Sequence, residues 1–171
     1  EDRDLRDASL LALPDSPGEL ADRWILSLYN RTIQTVTKAL DVYRFDEASK
    51  AIYEFLWNAY CDWYLEIAKV RLNGNDPEER KRVQNILVHI LNGTLRMLHP
   101  FTPFISEELW QQFPRNGDAD ALILSEWPQA DESRFDADAE SEMALIQEAI
   151  GAVRNIRGMM SVPPSKRADV L

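Results

Sequence analysis

The sequence predicts an all-α fold, an antiparallel helical bundle of about five helices. Apolar residues recur every three or four positions along three long segments, which is the spacing of amphipathic helices. Proline and capping residues separate these segments by short turns, so consecutive helices are expected to pack antiparallel. No strand–helix–strand alternation is present, and only an irregular segment near 115–137 lacks the helical period.

The first predicted helix runs from Pro17 to about Leu40. Ser16 and Glu19 form a capping box around Pro17, which suits the first helical position. The second predicted helix covers 45–72 and ends at Asn73-Gly74, because glycine readily takes the left-handed conformation that closes a helix. Its apolar stripe places Trp63 in the core, together with Phe55, Leu56 and Ile67.

The second helix also carries a second aromatic stripe. Its members step by four, three and four positions: Tyr53, Trp57, Tyr60 and Tyr64. Two interpretations stay open at this point. The stripe packs inside the bundle, or it forms an exposed surface on which unpaired bases stack.

The remaining helices are predicted from their caps. Asp76-Pro77 begins the third helix, which ends near His99 because Pro100 follows. The fourth runs from Thr102-Pro103 to about Phe113, with Phe104 and Trp110 expected to pin it to the bundle. Residues 121–124 alternate like a short extended piece. A final helix is predicted over 138–158, its apolar face running through Met143, Ile146, Ile150, Val153 and Ile156.

Three regions follow from this organisation. Residues 1–16 lead into the bundle, residues 17–158 form it, and residues 159–171 are an extended exit toward a following domain that is absent. The chain begins without Met and ends without a stop signal of its own, so we expect it to be part of a longer protein.

The net charge of −10 argues against a nucleic-acid partner when taken alone. Its distribution changes this interpretation, because residues 23–115 carry twelve basic and eleven acidic side chains while the acidic excess lies in 1–22 and 116–153. The balanced middle of the chain is therefore free to form a local basic face.

No catalytic or metal-binding constellation is found in the sequence. The six glycines never cluster into a phosphate-binding loop. His89 and His99 lack the partners of a bundle metal site, so structural roles are expected for both. Cys61 has no basic neighbour to lower its pKa and is expected to be an inert thiol. A single cysteine and the absence of a long apolar run favour a cytoplasmic protein with no membrane segment.

Four segments in order resemble valyl-tRNA synthetases, class I aminoacyl-tRNA synthetases. They are NAYCDWYLE (58–66), HPFTPFISEELW (99–110), ILSEWP (123–128), and VRNIR (153–157) followed by VPPSK (162–166). Isoleucyl and leucyl enzymes share the bundle and a comparable PF…EELW element. The CDWYLE and VPPSK segments favour valine.

The resemblance implies that this bundle is the anticodon-binding domain of such an enzyme. Its partners would be tRNA(Val) and other domains of the same polypeptide, and the protein would be a monomer. ATP with Mg²⁺ would serve the full-length enzyme, a valine–tRNA ligase. No cofactor and no catalytic residue are assigned to this chain, since the family's HIGH and KMSKS motifs are missing from it.

Six cations are the candidate RNA contacts, chiefly to phosphates. They are Arg31, Lys38, Lys69, Arg71, Arg154 and Arg157. Alternatives remain: the same domain of an isoleucyl or leucyl enzyme, a helical protein–protein interaction module docking through its acidic loop and tryptophan-rich helix, or a bundle enzyme with a buried site.

Overall fold

The computed structural model describes residues 10, 12–14, 18–113, 119–163 and 166, and within them the regular elements are all helical. The predicted all-α bundle of five helices is confirmed. Two 3₁₀ turns, Leu122–Leu124 and Glu132–Arg134, lie between the fourth and fifth helices. The helices are α1 Leu20–Asp41, α2 spanning 45–72, α3 Pro77–Leu98, α4 Pro103–Trp110 and α5 Ala137–Met159.

Helix boundaries follow the local capping chemistry. The Asp76 carboxylate accepts the backbone N–H groups of Glu78 and Glu79 at 3.0 and 3.3 Å, which starts α3 as predicted. Helix α1 starts at Leu20 and not at Pro17. Gly18 has a φ of 75°, a left-handed conformation that an α-helix cannot contain. The predicted cap residues 16 and 17 lie outside the described residues.

Helix α2 changes its winding in the middle. A π-helical stretch, Glu54–Tyr64, is continuous with α-helical Phe45–Tyr53 before it and Leu65–Leu72 after it. A π-helical turn holds more residues than an α-helical turn, so side chains rotate around the axis relative to uniform α spacing. The prediction that Trp63 lies in the core is therefore wrong. Trp63 packs half-buried at the core's edge, while Tyr64 is fully buried.

The core lies between α1, α2 and α3. Its largest fully buried aliphatic side chains come from all three helices: Ile25, Ile33, Val36, Ile52, Ile86 and Ile90. A smaller cluster of Leu95, Trp110 and Leu122 holds α4. Because Leu122 is anchored there, and its N–H donates to Glu107 at 2.7 Å, residues 122–124 turn as a 3₁₀ helix and are not extended as predicted. Phe104, expected to pin α4, is 91% exposed.

A buried carboxylate joins the three long helices. Asp22 of α1 has no exposed surface, and both its oxygens accept hydrogen bonds from the Arg71 guanidinium of α2, at 2.6 and 2.8 Å. The Tyr64 hydroxyl donates to the same carboxylate at 2.8 Å, and Glu79 of α3 pairs with Arg71 from the other side. Burial and the Asp22 charge raise the pKa of Tyr64. Each charge is thus compensated where water is excluded.

Helix α5 is attached to α1 mainly by polar contacts. Asp136 caps α5 by accepting the Ala139 N–H at 2.9 Å and pairs with Arg23 of α1 at 2.7 Å. These two contacts hold the pKa of Asp136 below its ordinary value. Only Ala139 and Met143 of α5 are buried. The predicted inward stripe is therefore wrong beyond Met143: Ile146, Val153 and Ile156 are exposed, and Ile150 is half-buried.

Two glycines inside helices predict opposite effects of the same substitution. A Cβ at Gly93 of α3 would overlap the Tyr29 hydroxyl, so Gly93→Ala should destabilise the fold by about 1–3 kcal/mol. A Cβ at Gly151 of α5 would meet no atom within 4 Å, so Gly151→Ala should stabilise it by about 0.5–1 kcal/mol. Urea unfolding measures both. A Gly93→Ala variant as stable as the unsubstituted protein would contradict the close approach of Tyr29 to Gly93.

The Asp22 network predicts a large loss of stability from one substitution. Asp22→Ala leaves the buried Arg71 without its bidentate partner and should cost about 3–5 kcal/mol. Lys69→Ala is the control, two residues from Arg71 on α2. It removes the exposed Lys69–Glu66 pair and should cost less than about 1 kcal/mol. Equal costs in urea unfolding would show that the Asp22 pair does not hold the helices together.

Candidate nucleic-acid interface

The six cations predicted to contact RNA lie on three helices and differ in how freely their charges face solvent. Arg31 and Lys38 belong to α1, Lys69 and Arg71 to α2, and Arg154 and Arg157 to α5. No single patch gathers all six, because α2 directs Arg71 inward while α5 carries its two arginines along its far half.

Arg71 is occupied inside the domain. Its side chain is 10% exposed and contacts the carboxylates of Asp22, Glu79 and Glu19. Burial lowers the pKa of a guanidinium, but the hydrogen bonds that Arg71 donates to Asp22 and Glu79 outweigh that effect and raise its pKa. A phosphate would have to displace a buried carboxylate to reach this side chain, so the geometry weighs against a direct RNA contact.

Arg31 and Lys69 are paired at the surface. The Arg31 Nε donates to Glu140 of α5 at 2.7 Å, and the guanidinium lies 4.6 Å from the centroid of the Phe135 ring. The Lys69 ammonium lies 2.5 Å from Glu66. Both cations remain substantially exposed, and exposed ion pairs are weak. Either charge is therefore able to exchange its carboxylate for a phosphate at little cost.

Lys38 is exposed and has no ion pair within the described part of the chain. It follows Arg31 by seven residues, close to two full helical turns, so both side chains lie along one side of α1. That side is the one α5 approaches, since Arg31 contacts Glu140. Lys38 therefore extends the line of positive charge beyond the α1–α5 contact.

Arg154 lies over an aromatic ring on the neighbouring helix. Its guanidinium carbon is 5.6 Å from the centroid of the Trp63 ring of α2, and the side chain is exposed. A guanidinium stacked on an aromatic face keeps its in-plane N–H donors free. Arg157, one turn later, donates to the carbonyls of Pro163 and Lys166, both at 2.8 Å, and so holds the segment after α5.

The four aromatic residues predicted as one stripe divide into two pairs. Tyr53 and Trp57 are exposed and their rings are parallel, with centroids 6.4 Å apart and an interplanar angle of 2°. Tyr60 and Tyr64 are buried, and the Tyr60 hydroxyl donates to the Leu87 carbonyl at 3.0 Å. The π-helical winding between the pairs accounts for this division. Burial confirms the packing interpretation for Tyr60 and Tyr64, and exposure leaves the base-stacking interpretation open for Tyr53 and Trp57.

One concave surface was not predicted from the sequence. A cavity of about 390 Å³ lies between α1, α3 and the segment 126–134, lined by Tyr29, His89, Arg96, Trp127 and Arg134 among others. His89 and Arg96 are seven residues apart on α3, and this spacing was the available signal that they share a face. The lining also includes the carboxylates of Glu126 and Asp131, and Asp131 pairs with Arg134 at 3.3 Å, so the walls are of mixed charge.

His99 and Cys61, a histidine and the cysteine expected to have structural roles, lie in environments that fit such roles. The ring of His99 hydrogen-bonds the Ser106 hydroxyl at 2.9 Å, and burial with the neighbouring Asp62 raises the pKa of the Cys61 thiol. Among the described residues, no group of three or more His, Cys, Asp or Glu side chains is placed to hold a metal ion. No helix in the described ranges is long and apolar enough to span a membrane.

Comparison with known proteins identifies relatives along most of the chain. Valine–tRNA ligase of Bacillus licheniformis is 42% identical over 158 residues, which are 91% of this chain and 18% of that protein. The Listeria monocytogenes valine–tRNA ligase is 43% identical over 148 residues, 86% of this chain and 16% of that protein. The Petrotoga mobilis valine–tRNA ligase is 38% identical over 166 residues, which are 97% of this chain and 19% of that protein. The chain spans less than a fifth of each relative's length.

The family model for the anticodon-binding domain of tRNA ligases matches residues 22–171, from the first turn of α1 to the last residue. The match includes every helix described above, the exposed cations of α1 and α5, and the aromatic face of α2. The chain therefore belongs to the anticodon-binding domain family of tRNA ligases.

Proposed function

We propose that this domain binds the anticodon stem-loop of tRNA(Val) and positions the tRNA for aminoacylation by a catalytic domain elsewhere in the same polypeptide. The family match over residues 22–171 carries the assignment to anticodon binding. The valine-specific part is supported by relatives named valine–tRNA ligase at about 40% identity. The contribution to the reaction is one of positioning, because holding one end of the tRNA orients the other.

In this proposal the phosphates of the stem-loop contact Lys38 and Arg154 first. Both cations are exposed, and neither charge is neutralised by a described carboxylate. Arg31, Lys69 and Arg157 contribute secondarily, since each must loosen a surface contact to reach a phosphate. Arg71 acts through the fold, by holding α2 against α1.

Tyr53 and Trp57 form the proposed stacking platform for an unpaired base. Bases stack on aromatic side chains irrespective of their sequence, because every base has a π face. The exposed, parallel Tyr53–Trp57 pair already presents such a face. The nearby carboxylate of Glu54 is paired with Lys50 at 3.7 Å, which reduces its repulsion of the RNA backbone.

ATP and Mg²⁺ serve, in this proposal, the full-length enzyme. The sequence carries no glycine-rich phosphate loop, and the described residues bring together no metal-binding group. We assign valine activation, which consumes ATP, to the remainder of the polypeptide and derive no catalytic step here. The same proposal takes the protein to be a cytoplasmic monomer.

The phosphate contacts predict a change in salt dependence. Arg154→Gln and Lys38→Gln should each weaken tRNA binding and lower the slope of log affinity against log salt by up to about one unit. Lys81→Gln, an exposed cation on α3, is the control and should leave the slope unchanged. Filter binding of tRNA(Val) at several salt concentrations measures the slopes. Three identical slopes would exclude Lys38 and Arg154 from the interface.

If Tyr53 and Trp57 form a stacking platform, loss of the Trp57 ring should weaken tRNA binding without changing its salt dependence. Trp57→Ala should weaken tRNA binding by about 1–3 kcal/mol, the range for one stacked base, and should leave the salt slope and the melting temperature nearly unchanged. The control is Phe104→Ala, which removes a 91% exposed ring on α4 and should change neither tRNA binding nor the melting temperature. Binding that is insensitive to both salt and Trp57→Ala would favour the protein–protein interaction module.

A further inference from the structure

Helix α5 presents an apolar stripe on the side that faces away from the bundle. Five exposed residues follow one another at intervals of four, three, four and three positions: Leu145, Ala149, Ala152, Ile156 and Met159. Leu145 is 68% exposed and Met159 is 79% exposed. This spacing is that of an interface seam between packed elements, and it runs along most of the helix.

The opposite side of α5 is the one that contacts the bundle. Met143 is buried there, and Arg154, eleven residues or about three turns later, lies over Trp63. Ala152 is two residues from Arg154, which places it across the helix from that contact. A helix with contact faces on both sides is typical of an internal layer and not of a surface element.

We propose that this stripe docks against an apolar element of the same polypeptide that lies outside residues 1–171. The relatives are more than five times as long as the segment they share with this chain, so the larger part of such a polypeptide is available to cover it. Covalent linkage gives a tethered element an effective concentration on the order of millimolar, which favours it over a second copy. The proposal rests on family membership and is independent of tRNA binding.

The residues in and around the stripe indicate what kind of element would dock on it. Ala149 and Ala152 are small exposed residues between Leu145 and Ile156, so large aliphatic side chains of a docked element would fit over them. Exposed carboxylates border the stripe, with Asp138 and Glu142 ahead of it and Glu148 along one edge. The docking element should therefore carry an apolar face with Lys or Arg at its margin, opposite these acids.

Thiol accessibility in the full-length protein tests the proposal. Ala152→Cys places a probe in the stripe, and Ala144→Cys places one at an exposed position to the side of it on the same helix. Both are made in a Cys61→Ser background, with any other accessible cysteine of the full-length protein also replaced, and the alkylation rate of each is measured. The thiol at 152 should react at least about tenfold more slowly than the thiol at 144, because it reacts only when the docked element opens.

Each outcome decides the question. Equal rates in the full-length protein would overturn the proposal. Protection that rises with protein concentration, with a dimer mass by light scattering, would assign the face to a second copy and also overturn it. Concentration-independent protection in a monomer supports it. Measuring tRNA affinity on the same two variants separates the outcomes, since neither substitution touches Lys38, Arg154 or Trp57, and a failure of tRNA binding would leave the accessibility result standing.

Discussion

The arrangement of the three long helices depends on one buried carboxylate. Asp22 is withdrawn from water, and such a charge is tolerated only where hydrogen bonds and an opposite charge replace its hydration. Arg71 and Tyr64 of α2 supply both, and Glu79 of α3 completes the neutralisation of Arg71. Because bidentate geometry permits little sliding, this contact sets the register of α1 against α2 and ties α3 to the same point. The apolar core around it supplies stability but fewer directional constraints.

The same pairing limits which cations are available to RNA. Carboxylates of the connection and of α5 neutralise Arg23 and Arg31, and Arg71 is enclosed by three acids. The negative net charge of the chain is thus used in part to attach α5, and what remains positive at the surface is local. In the proposed interface a few phosphate contacts would fix the register of the RNA, so the overall charge of the domain is a poor guide to its partner.

Features encoded locally could be predicted from the sequence. The Asp76 cap, the Pro77 start and the stop before Pro100 each depend on neighbours within a few residues, and α3 follows them closely. The π-helical winding of α2 has no comparable local signal. The burial of Trp63, Tyr60 and Tyr64 could therefore not be predicted from uniform helical spacing. The Asp22–Arg71 pair joins residues 49 positions apart, and helical periodicity carries no information about such a contact. The six candidate cations could be found by type, but their burial and partners depend on this tertiary structure.

Helix α5 takes part both in the packing of the bundle and in the candidate RNA interface. Its first turns are bound to α1 through Asp136 and Glu140, and its later half carries Arg154 over Trp63. Beyond Met143 no α5 side chain is buried in the described structure, so the later half of the helix is held less firmly than its first turns. An element packed on the outward stripe would add contacts to the later half and fix Arg154 relative to the ring beneath it. The position of Arg154, the proposed phosphate contact, would then be set jointly by the bundle and by the rest of the polypeptide. Transmitting the orientation of a bound RNA to a distant site requires such a joint constraint.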